Sequence, residues 1–164
     1  MSIEERFSTE EWRLIRAAPA LIGSGMVAAD PGGLVNLVKE AVAMGGSTRD
    51  TLMEHRDNAL LKAIVEARDD GLKEELDAVL DGAGSAMDKR DRLQNGALDR
   101  LRAALDVLQA KAEPGEVEAY KQWVRTMARR VAEAGKEGGF LGFGGVRVTE
   151  NEQRFLDRVE ALVD

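Results

Sequence analysis

Few side chains in this sequence are equipped for covalent or acid–base chemistry. Cysteine is absent, which excludes thiolate nucleophiles, thiolate metal ligands and disulfides. His55 is the only histidine, and imidazole could serve as a general base or a ligand. On a helix its neighbours three and four residues away are Thr51, Leu52, Asn58 and Ala59, none of which is a carboxylate or an imidazole. The paired ligands of helical metal sites are therefore missing, as are the Glu-x-x-His pairs of a di-iron carboxylate bundle. Ser24 sits in Gly23-Ser24-Gly25. A nucleophile elbow, however, requires Gly-x-Ser-x-Gly between a strand and a helix, and Ser24 falls inside a helical pattern. Asp69, Asp70, Glu74, Glu75, Asp77 and Asp81 do not follow EF-hand order and read as a solvated helix face. No catalytic residue, metal ligand or cofactor is expected.

A glycine-rich loop is the least ordinary stretch. It runs over residues 136–148 as Lys136-Glu137-Gly138-Gly139-Phe140-Leu141-Gly142-Phe143-Gly144-Gly145-Val146-Arg147-Val148. It lacks the Gly-Lys-Ser/Thr of a phosphate-binding P-loop, and a helix rather than a strand precedes it, unlike a dinucleotide fingerprint. One reading is an anion nest built from the amides of Gly142, Gly144 and Gly145 with Lys136 and Arg147. The preferred reading is structural: Phe140, Leu141 and Phe143 plug the end of the core while glycines supply positive φ. In a third, Phe140 and Phe143 stay exposed and dock a partner. Lys121, Arg125 and Arg129, with Arg130 beside them, could likewise bind phosphate or an acidic partner. Pairing with Glu118 and Glu133 along the same helix would explain them equally well.

The elements that carry these residues are helices. Ala17 to Ala29 contains no charged residue in a chain rich in charge. At 1.5 Å per residue it is too short to span a bilayer, and it reads as a buried core helix. Ser8 and Glu11 form a capping box that starts this first helix near Thr9. Trp12, Ile15, Pro19, Ile22 and Met26 then share one face, with Pro19 expected to kink a single helix. Gly23 and Gly25 are expected where another helix backbone comes close. A second helix is expected from Asp30-Pro31 to about Met44, and a third from about Arg49 to Ala67 burying Met53, Leu60 and Ile64, with Leu52 and Ala63 beside them. A short helix carries Leu72, Leu76, Val79 and Leu80, and Gly82 to Ser85 is a loop.

A long helix from about Ala86 to Lys111 presents Leu98, Leu101, Leu105 and Leu108. The next starts at Pro114 and carries the a/d pattern Val117, Tyr120, Val124, Met127, Val131 and Ala134. Thr149 and Glu152 cap a last helix over residues 149–163 that buries Leu156, Val159 and Val163. The expected fold is all-α: a single-domain bundle of six to seven helices around a buried, proline-kinked first helix, with residues 1–7 as an N-terminal tail.

Net charge is −7 over 164 residues, which opposes non-specific binding to nucleic acid and to anionic membranes. Residues 1–82 hold 9 Lys/Arg against 16 Asp/Glu and residues 83–164 hold 14 against 14, so an acidic half could face a more basic surface. The N-terminus shows no basic and apolar leader pattern, and a cytoplasmic location is the default.

The tail EGGFLGFGGVRVTENE, Glu137 to Glu152, resembles the end of a group of small helical bacterial proteins of unassigned function. In that group the loop reads close to EGGFLGxGGxRVS before a short final helix, and Thr149 stands here at the serine. The segments Glu118 to Val124 and Val131 to Ala134 and the Ala28-Ala29-Asp30-Pro31 junction are similar too. The resemblance implies an all-helical fold and transfers no activity or site residue. The sequence alone favours a non-catalytic bundle acting through protein contacts as a homodimer. A binder of a small anion at the glycine loop and a carboxylate-only, metal-dependent enzyme are the alternatives.

Overall fold

In the computed structural model, residues 2–29, 50, 53–67, 71–136 and 148–164 are described, without the side chains of 134–136. Six α-helices lie among the described residues: α1 Thr9–Ala29, α2 Ala59–Glu66, α3 Leu72–Leu80, α4 Ala86–Lys111, α5 Pro114–Lys136 and α6 Glu150–Val163. No strand occurs among them. The fold is all-α, and one hydrophobic cluster takes residues from α1, α2, α4, α5 and α6.

The uncharged stretch is the hub. α1 packs against α3, α4, α5 and α6, most extensively against α4. Ile15, Ala17, Ala18, Leu21 and Ile22 are fully buried and Met26 nearly so. Each large apolar side chain taken fully out of water stabilises the fold by about 1.5–3 kcal/mol. Cross-helix bonds give the directions. Lys111 pairs with Glu11 while Gln94 reaches the Gly25 carbonyl, so α4 runs antiparallel to α1. Arg125 bonds the Val163 carbonyl and Asp164 while Arg129 pairs with Glu160, so α6 runs antiparallel to α5. The result is up-and-down packing of amphipathic helices.

Pro19 lies inside one continuous helix. A proline ring has no N–H, so the Ile15 carbonyl four residues earlier loses its helical donor. The Tyr120 hydroxyl donates to that carbonyl at 2.7 Å from the fully buried face of α5. Burial pushes the Tyr120 phenol above its ordinary range, which keeps the proton on this donor. A buried carbonyl left alone would cost about 1–3 kcal/mol, so this tyrosine makes the interior proline tolerable.

Several local expectations hold. Ser8 and Glu11 exchange bonds at the start of α1 (3.2 and 2.7 Å), and Thr149 and Glu152 form a capping box on α6. The Leu98, Leu101, Leu105 and Leu108 stripe is buried, as are Val117, Tyr120, Val124, Met127 and Val131.

Other expectations are corrected. The helix expected from Arg49 to Ala67 is not continuous. His55, Arg56 and Asp57 form a turn, and the Asn58 side chain accepts from the Leu61 amide to start α2 afresh. Asparagine favours this capping role over a helix interior. Met53, expected in the core, is 60% exposed, because the break takes its turn out of register with Leu60 and Ile64. Residues 1–7, expected as a tail, contain a 3-10 turn at Glu4–Arg6. Phe7 is buried and stacks on Trp12 with ring centroids 5.8 Å apart, and Arg6 forks onto Glu116 at 2.8 and 2.9 Å. Gly25 is closely approached, but by a ring rather than a helix backbone: a Cβ there would lie 2.6 Å from Phe155 Cζ. The second helix expected at 30–44 and Leu52 lie outside the described residues.

Candidate functional site

The loop residues Phe140, Gly142, Phe143, Gly144, Gly145 and Arg147 lie outside the described residues, and Lys136 closes α5 with its side chain undescribed. His55 sits half-buried on its turn with Nε2 shielded and unpartnered among the described residues. No group of three histidine or carboxylate side chains there could hold a metal ion.

The stripe singled out on α5 is spent on structure. Lys121 pairs with Glu118, Arg125 with Asp164, Arg129 with Glu160 and Arg130 with Asp50. Three of these partners lie on other segments, so the stripe ties elements together, and Glu133 acts on Arg129 only through its charge. The acidic run is engaged differently. Glu75 is 8% exposed and accepts from Arg13 on α1 and Arg100 on α4, at 3.3 and 3.0 Å. This fastens α3 across both helices. Asp69 and Asp70 lie outside the described residues.

Two clefts flank the N-terminal half of α4, and glycines set how close the neighbouring helices come. On one flank a Cβ at Gly96 would lie 2.6 Å from Val79 Cγ1, so α3 seats tightly on α4. In the groove along this contact, Arg92 holds Asp88 and the Asp81 carbonyl, and Arg100 holds Glu75. Its cations are all engaged.

The other cleft lies between α4 and α6 and has a volume of about 180 Å³. Arg90, Asp91, Gln94 and Asn95 line it from α4. Asn151, Arg154 and Arg158 line it from α6, with Phe155 the one apolar side chain. Among the described residues Arg90 reaches only Asp91, its neighbour in sequence, at 3.4 Å. Arg158 donates to the neutral Asn95 carboxamide at 2.9 Å. Arg154 is exposed and has no hydrogen-bond or ion-pair partner among the described residues. Gln94 also donates to the Gly25 carbonyl at 3.4 Å, and the Phe155 ring rests against Gly25. One residue of the central helix therefore supports both walls.

Among the described residues, three guanidinium groups and one carboxylate, Asp91, thus line one small polar space. Guanidinium offers a planar fork of donors suited to carboxylate and phosphate oxygens. Arg154 and Arg158 lie one helical turn apart and Arg90 lies on a helix 64 residues away in sequence. Their convergence follows from the α4–α6 register, which no local spacing reveals; the i, i+4 arginine pair on α6 was the one available signal.

Set against models of protein families, curated proteins and solved structures, the chain matches none of them.

Proposed function

We propose that this protein binds an anionic ligand in the cleft between α4 and α6 and holds it without transforming it. The carrying observation is the excess of guanidinium over carboxylate in that cleft, in a chain of net charge −7. An acidic protein that gathers Arg90, Arg154 and Arg158 around one cavity holds them together against mutual repulsion, and a bound anion relieves that repulsion.

Away from the cleft, ion pairs and amide hydrogen bonds hold surface groups in their charged forms. Hydrogen bonds from Lys111 and from the Ser8 amide hold the Glu11 carboxyl below its ordinary range. The Gly84 amide and Arg92 do the same for Asp88. Bonding to Glu160 raises Arg129, and bonding to Asp77 raises Lys73.

The test is titration of the full chain, labelled at arginine side chains for NMR, with inorganic phosphate at low ionic strength. Saturable shifts are expected for Arg90, Arg154 and Arg158 and none for Arg102, which pairs with Asp99 on the outer face of α4. Shifts that fail to saturate, or that Arg102 shares equally, would overturn the proposal.

A further inference from the structure

We infer that the group seated in the α4–α6 cleft is a phosphate, free or as a monoester, and not a carboxylate; this rests on the reading of the cleft as an anion site. The first argument is size. At about 180 Å³ the cavity falls below the roughly 300–1,000 Å³ of pockets that enclose a whole cofactor or drug-sized molecule. It accommodates one anionic group, with anything attached to that group left outside.

The second argument is direction. The donors come from two walls: Arg90 on α4, Arg154 and Arg158 on α6. A carboxylate presents two oxygens in one plane, which one or two forks satisfy. A phosphate presents three terminal oxygens diverging from a tetrahedral centre, so donors on opposing helices can each find an acceptor. The third argument is Asp91. It lines the same cleft and leans on Arg90. A carboxylate at an anion site repels a fully deprotonated guest but accepts a hydrogen bond from a P–OH. Phosphate keeps such a proton over part of its population near neutral pH, its second pKa being near 6 in monoesters, and sulfate does not. Phe155, seated on Gly25, closes the floor without offering any partner to a longer polar guest.

Calorimetric titration of the full chain with inorganic phosphate, sn-glycerol 3-phosphate, sulfate and acetate tests this. Phosphate is expected to bind at least about tenfold more tightly than acetate, the scale of losing one hydrogen bond to a charged group. Arg154→Gln is expected to weaken phosphate by a similar factor, and Arg102→Gln to leave it unchanged. Asp91→Asn is expected to erase the preference for phosphate over sulfate. Arg154 is exposed, so its variant tests the site without disturbing the core, and its melting temperature should match the parent. Tighter binding of the glycerol ester than of inorganic phosphate would support the monoester as the source, and the reverse order the free ion. Acetate binding as tightly as phosphate, with the same Arg154 dependence, would overturn the phosphate assignment and leave the anion cleft standing. Equal phosphate and sulfate affinity in the parent would also overturn it. If no anion binds in an Arg154-dependent way, the assignment and the anion cleft both fall.

Discussion

Replacing Tyr120 by phenylalanine deletes one oxygen from a fully buried side chain and strands one carbonyl. The Ile15 carbonyl faces Pro19, which cannot donate, and receives the Tyr120 hydroxyl at 2.7 Å instead. Leaving a buried acceptor without a donor costs about 1–3 kcal/mol. For a chain of this size each kcal/mol shifts the melting temperature by roughly 2–4 °C, so Tyr120→Phe should melt about 4–8 °C lower at the centre of that range. The informative experiment is a double-mutant cycle with Pro19→Ala, read by urea unfolding followed through Trp12 and Trp123. Alanine at position 19 restores an N–H to the helix and gives the Ile15 carbonyl its own donor. Tyr120→Phe should then cost less than half as much, a coupling of about 1 kcal/mol or more between residues 101 positions apart in sequence. The sign of Pro19→Ala alone carries no weight, because unfolded-chain entropy and helix propensity oppose one another there. An equal cost of Tyr120→Phe in both backgrounds would refute the link between the proline and the tyrosine.

Two further predictions concern packing and pH. Gly25→Ala should destabilise by about 1 kcal/mol net: its Cβ would meet Phe155 at 2.6 Å, an overpacking cost of roughly 1–3 kcal/mol offset by the better helix propensity of alanine. Combined with Phe155→Leu, Gly25→Ala should become neutral or stabilising, and a thermal melt showing no such rescue would remove the steric account. Burial would raise the Glu116 carboxyl, but the Arg6 hydrogen bonds, the Glu113 amide and the Arg6 charge outweigh it and hold it below its ordinary value of 4.5. A carboxyl depressed on folding lends stability that is present above the unfolded value and lost as pH falls through the folded one. Urea midpoints should thus fall below about pH 4.5, and Arg6→Gln should flatten that fall; an unchanged acid limb would count against the pairing.

The interhelix pairs show where sequence reasoning reached its end. The capping boxes at Ser8 and Thr149 were legible because both partners lie within one turn, so local geometry alone decides them. The break at Asn58 leaves no such local mark. The apolar period runs on through Met53 and Leu60, and a cap competes with a helix interior by a margin that periodicity does not register. The arginines of α5 were visible as a stripe, yet their partners Asp164, Glu160 and Asp50 could be assigned only once α6 was laid antiparallel beside them.

By itself the sequence determined that the chain is helical and that residues 17–29 form its buried centre. An uncharged helix among charged ones has one stable place, and burial of its apolar faces selects it. Tertiary structure alone decided which polar groups meet: Tyr120 with the carbonyl orphaned by Pro19, Glu75 with two arginines, and Arg90 with Arg154 and Arg158 around one cleft. Burial is a property of a single segment and leaves its period in the residues. A meeting between segments depends on helix register and on how close Gly25 and Gly96 let their neighbours come, and neither is written in any local pattern.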